Sequence, residues 1–110
     1  MIFMATATIP SDATEEWAKC SFEMASNPLP ACIKKWQVFL CSGGDGDSGI
    51  KGYNLIFTEK GKGDEALIEI NKLMLTFGKI KGMSYKLEPL MSITDSFKVL
   101  EKNRVESVSL

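Results

Sequence analysis

The sequence predicts a single α+β domain, with a four-stranded antiparallel sheet carrying two helices on one face, and three observations support this. Two-residue and helical apolar periods alternate along the chain in the order strand, helix, strand, strand, helix, strand. A run of turn-forming residues between the two middle strands makes them a hairpin. The chain has 110 residues, 45% of them apolar and 25% charged, which is enough for one core and hardly for two.

Met1 to Ile9 is apolar and β-branched and stops at Pro10-Ser11-Asp12, so it reads as the opening strand. It has no basic start and is too short for the apolar region and cleavage site of a secretion signal. From Asp12, a good N-cap, to about Ser26, the residues Ala13, Trp17, Cys20 and Met24 recur at helical spacing. Glu15 and Glu16 come early, where the helix dipole favours acids. Pro28 and Pro30 end that helix, because neither has an amide hydrogen to donate.

From Ile33 to Cys41, Trp36, Val38 and Leu40 alternate with Lys35, Gln37, Phe39 and Cys41, the period of a second strand. Ser42 to Gly49 contains only turn formers, and Ile50 to Thr58 then alternates Tyr53, Leu55 and Phe57 with Gly52, Asn54 and Ile56. After the polar break Glu59 to Gly63, Asp64 is placed to cap a helix with a continuous stripe of Ala66, Leu67, Ile70, Leu73, Met74 and Phe77. Gly78 ends it, and Met83 to Met91 alternates Met83, Tyr85 and Leu87 with Ser84, Lys86 and Glu88 as the fourth strand. Thr94 or Asp95 can cap a short last helix through Phe97, Val99 and Leu100. Residues 1–110 thus form one domain, with a core of 1–91 and a C-terminal extension of 92–110 that either frays or is held by a partner subunit.

Two right-handed strand-helix-strand units joined by a hairpin give the ferredoxin-like arrangement, which leaves one sheet face without helices. A face meant for water would be polar, yet both alternation sets carry large apolar groups: Trp36 with Phe39 opposite, Leu55 with Ile56 opposite, Phe3 with Met4 opposite. Either a second copy or the C-terminal segment must cover it, and the scarcity of apolar residues after Leu100 favours a second copy. On this element order, hairpin and two-sided strands, the stretch from about Met1 to Met91 resembles the dimeric α/β-barrel superfamily, most of all its short uncharacterised bacterial members. The resemblance implies a homodimer joined through its sheet faces. That superfamily includes cofactor-free monooxygenases, haem-degrading enzymes, lactone isomerases, stress-responsive proteins and ligand-sensing domains, so it selects no reaction.

Composition excludes more than it selects. A net charge of −1 with interspersed lysines and acids offers no face to a phosphate backbone, so no nucleic acid is expected as a partner. No run approaches the roughly 20 apolar residues of a membrane-spanning helix, so no membrane partner is expected either. The three cysteines form no C-x-x-C pair, and no histidine completes a metal site, which points to reduced thiols, no metal and a cytoplasmic location. Gly44 to Gly49 matches G-x-G-x-x-G, but a strand rather than a helix follows, and Asp45 and Asp47 do not fit a calcium-loop frame. The absence of histidine also removes the commonest general base and haem ligand.

The polar groups left for a pocket are on the strands: Trp36, Tyr53, Asn54, Tyr85 and Glu88 as candidate ligand contacts, with Cys41 and Lys86 nearby in sequence. Each also has a structural role open to it, since strand Tyr and Trp pack with a hydrogen-bonded tip and Lys86 and Glu88 suit a solvated face. The sequence therefore points to a small cytoplasmic homodimer that binds a small apolar organic molecule without a cofactor. The alternatives are a cofactor-independent monooxygenase or isomerase using Tyr53, Tyr85 or Glu88 as acid or base, and a protein-interaction subunit.

Overall fold

The computed structural model describes residues 1–42 and 49–108, with side chains as far as residue 101. The hairpin tip from Gly43 to Ser48, with its nucleotide- and calcium-like patterns, lies outside the described residues. The elements are β1 (Ile2–Ile9), a 3-10 turn (Ser11–Ala13), α1 (Thr14–Ala25), β2 (Ile33–Ser42), β3 (Ile50–Thr58), α2 (Gly63–Phe77), β4 (Ser84–Leu90) and α3 (Ile93–Val108). The four strands pair antiparallel in one open sheet of order β2-β3-β1-β4, consistent with a ferredoxin-like arrangement.

Register decides which residues face the helices. In β1, Phe3, Ala5, Ala7 and Ile9 are buried, and Phe3 stands opposite Ile56 of β3. These side chains form one core with Ala66, Ile70, Met74 and Phe77 of α2, and Trp17, Cys20 and Met24 of α1 pack against it. Both helices therefore lie on the same sheet face. Ile9, Ile56 and Ile70 are fully buried.

Three expectations at helix starts are corrected. Asp12 does not cap α1; it sits in the 3-10 turn, whose last residue Ala13 precedes α1, and Thr14 Oγ1 donates to the Ser11 carbonyl at 2.7 Å. Asp64 does not cap α2 either, because the helix already begins at Gly63; Asp64 and Glu65 instead lie in its first turn, where they meet the helix dipole. The last helix is not short but runs for 16 residues, and its start is held by Ser92 rather than Thr94 or Asp95. The Asp95 N–H donates to Ser92 Oγ at 3.1 Å, and the Ser96 N–H to the Ser92 carbonyl at 2.9 Å. α3 does not fold back over the sheet: Ile93, Phe97, Val99 and Leu100 are all exposed. Among the described residues, no helix is long and apolar enough to cross a membrane.

The link from α2 to β4 depends on Gly82, which has φ +81°, and a Cβ there would stand 2.9 Å from Pro10 Cγ. Gly61 has φ +75° with open space around it. Gly61→Ala is expected to cost about 1–2 kcal/mol from backbone strain alone, and Gly82→Ala more, because Pro10 must also move. Thermal unfolding of the two variants separates the two contributions.

Candidate functional site

Directly opposed residues in an antiparallel ladder share a face, so the pairing registers can be followed across all four strands on the side away from the helices. They give four rows: Lys35, Phe57, Ile2, Leu90; then Gln37, Leu55, Met4, Glu88; then Phe39, Tyr53, Thr6, Lys86; then Cys41, Lys51, Thr8, Ser84. The first two rows have an apolar centre, and the charged groups stand mainly in the outer columns.

Two of those lysines lie along aromatic neighbours. Lys35 Nζ is 5.8 Å from the centre of the Phe57 ring, and Lys51 Nζ is 5.6 Å from that of Tyr53. In each the ammonium stands over the ring, within the roughly 6 Å of a cation–π contact. Lys86 Nζ approaches Glu88 Oε2 at 3.7 Å, an exposed pair of small energetic value that leaves the carboxylate at the rim.

The five candidate ligand contacts do not come together. Trp36 and Asn54 face the helices, where the Trp36 Nε1–H donates to Asn54 Oδ1 at 2.9 Å and the Asn54 amide donates to the Ala5 carbonyl at 3.1 Å. This chain ties β2 to β3 and β3 to β1, so the polar groups of both residues are used in holding the sheet. Tyr85 also faces the helix side, on β4 opposite Ala7, and is partly exposed at that edge. Only Tyr53 and Glu88 stand on the open face, in neighbouring rows on either side of β1. An open depression beside α3, lined by Thr94, Phe97, Lys98 and Glu101, touches none of the five.

Asn54→Leu is expected to leave the Trp36 N–H without a partner, while the Ala5 carbonyl loses a second donor but stays in the β1–β3 ladder. The cost is about 1–3 kcal/mol, towards the lower end because the pair is only partly buried. Urea unfolding followed by tryptophan fluorescence measures it.

The thiols carry no nucleophile signature. Burial, then Glu23 and Glu16, push the Cys20 thiol above its ordinary value, so it stays protonated at neutral pH. Cys32 is buried and Cys41 exposed, and all three are free. Among the described residues, no group of three or more Cys, Asp or Glu side chains is placed to hold a metal ion.

The residues that sequence reasoning left off its site list are Ile2, Met4, Leu55 and Phe57, the apolar centre of the open face. Their signal was present in the alternation, as large apolar groups opposite the core set, but they carry no polar atom and so were not counted as contacts. No protein-family model matches the chain, and no curated protein matches it.

Proposed function

We propose that this chain works as a homodimer, two copies pairing through their open sheet faces, and that the interior between the sheets takes up a small apolar organic molecule without a cofactor. The observation that carries this reading is the apolar centre of the open face, with Phe57, Leu55, Ile2 and Met4 turned away from the helices. An isologous contact needs only one such surface, and each large side chain it covers contributes roughly 1.5–3 kcal/mol.

The same rows suggest where a ligand sits. Large apolar side chains stand at the centre of the first two rows, whereas at the other end Thr6, Thr8 and Ser84 are small, with Phe39, Lys51 and Lys86 around them and Tyr53. A small aromatic or short acyl chain bound there meets the Tyr53 ring and one phenolic hydroxyl. Thermal unfolding with a panel of small aromatics and fatty acids tests this: a bound ligand raises the melting temperature, and the shift grows with the logarithm of its concentration above Kd. No shift across the panel removes the binding reading.

A catalytic variant of this reading rests on Tyr53 and Glu88 sharing that face, since Tyr85 does not. Glu88→Gln then abolishes turnover of a ligand found by the panel with binding and fold intact, and Tyr53→Phe abolishes turnover with the fold intact; unchanged turnover excludes that residue as acid or base.

A further inference from the structure

We infer that α3 of each protomer crosses to the second copy and docks on the helix side of that copy's β2, against Val38 and Leu40. The inference rests on the face-to-face pairing proposed above and adds its direction and a second contact. Among the described residues, two surfaces lack a partner. Val38 and Leu40 lie on the helix side of β2 yet remain 53% and 51% exposed. On α3, Ile93, Phe97 and Leu100 are spaced four and three apart, forming one exposed apolar stripe.

A chain cannot readily join these two surfaces by itself. β2 and β4 are the opposite edges of the sheet, and α1 and α2 pack on the helix side between them. α3 follows β4 after only Met91 and Ser92, and Ser92 fixes its first turn.

A second copy brings them together. Two open faces can be related by a two-fold axis running along the strands or across them. With the axis along the strands, each row meets its own copy reversed: Leu55 meets Met4 of the other copy, Phe57 meets Ile2, Gln37 meets Glu88 and Lys86 meets the Phe39 ring. The apolar centres of the first two rows meet each other, Lys35 meets Leu90 at the edge, and no like charges face each other. With the axis across the strands, Glu88 meets Lys86 and Leu55 meets Tyr53, but Phe57 meets Lys51, Ile2 meets Thr8 and Leu90 meets Ser84, which breaks up the apolar centre. The first arrangement matches better, and it sets each β4 edge beside the β2 edge of the other copy.

Length, charge and area agree with that arrangement. The sheets lie about 10 Å apart, and a helix of 16 residues is about 24 Å long, enough to rise past the free edge of β2 and reach its helix side. Leu90, where α3 departs, is in the same row as Lys35, so Asp95 in the first turn of α3 comes near the Lys34-Lys35 end of the other copy's β2. Four strands about 4.8 Å apart by four rows about 6.8 Å apart offer about 500 Å² per copy, or about 1,000 Å² in total, which is below the roughly 1,200 Å² of a stable interface. Two docked α3 helices supply the difference.

The test uses full-length protein mixed from unlabelled and 15N-labelled chains and treated with a lysine-reactive cross-linker. Crosslinks from Lys98 to Lys34 or Lys35 are expected between chains of different label, and Phe97→Asp and Val38→Asp are each expected to weaken dimerisation by about tenfold or more without unfolding the chain. A dimer whose Lys98 crosslinks fall only within one chain, or whose dissociation constant is unmoved by Phe97→Asp, overturns the α3 contact while leaving the face pairing standing. A wild-type monomer overturns both.

Discussion

Leu55→Lys is expected to leave the fold intact and abolish self-association. Leu55 is in the second row of the open face, between Gln37 and Met4, and points away from the helices. In a single chain Leu55 is partly buried but the new ammonium reaches water along its stem, so folding stability changes by only about 1 kcal/mol. In the dimer it lies at the centre of the contact, opposite Met4 of the second copy and with no acid facing it. An unpaired charge in that position costs several kcal/mol, which raises the dissociation constant by about a hundredfold or more. Circular dichroism reads the first part and light scattering the second. A variant that stays dimeric places the contact elsewhere.

The next residue gives the opposite result. Ile56→Ala is expected to cost about 2–5 kcal/mol of folding stability, because Ile56 is 0% exposed and its side chain fills the core beside Phe3. A domain of this size has only about 5–15 kcal/mol in all, so the variant loses a large share of it. Ile56→Val, which removes one methylene, is expected to cost about 0.5–1.5 kcal/mol. Denaturant titration at a protein concentration low enough to keep the chains apart separates this loss from any effect on association. Two consecutive residues thus report on two faces of one strand.

The strands were legible because alternation survives in each of them, and the edges of β2 and β3 fall within one residue of the expected positions. Which face turns toward the helices was not legible. In β3 the open set, Tyr53, Leu55 and Phe57, is more apolar than the core set, which includes Gly52 and Asn54. The polar atoms of Asn54 are accommodated inward because Trp36 and the Ala5 carbonyl satisfy them, a pairing between positions far apart in sequence that no local period reveals.

The candidate contacts scattered for the same reason. They were selected for polar chemistry, strand by strand, whereas a shared site depends on register between strands. Tyr53 and Glu88 fall on the open face, and Trp36, Asn54 and Tyr85 on the other. Helix starts were missed where an acid in the first turn resembles a cap one or two residues later, as with Asp12 and Asp64. The length of α3 was not legible because the apolar period weakens beyond Leu100, while the described apolar residues of its first half are exposed.

Self-pairing through the open face is tested most directly by the molar mass of the full chain in solution, measured by light scattering across a range of concentrations. Twice the chain mass of 12.1 kDa is expected, falling toward one chain mass in Leu55→Lys. A mass of 12.1 kDa that does not change with concentration contradicts the pairing.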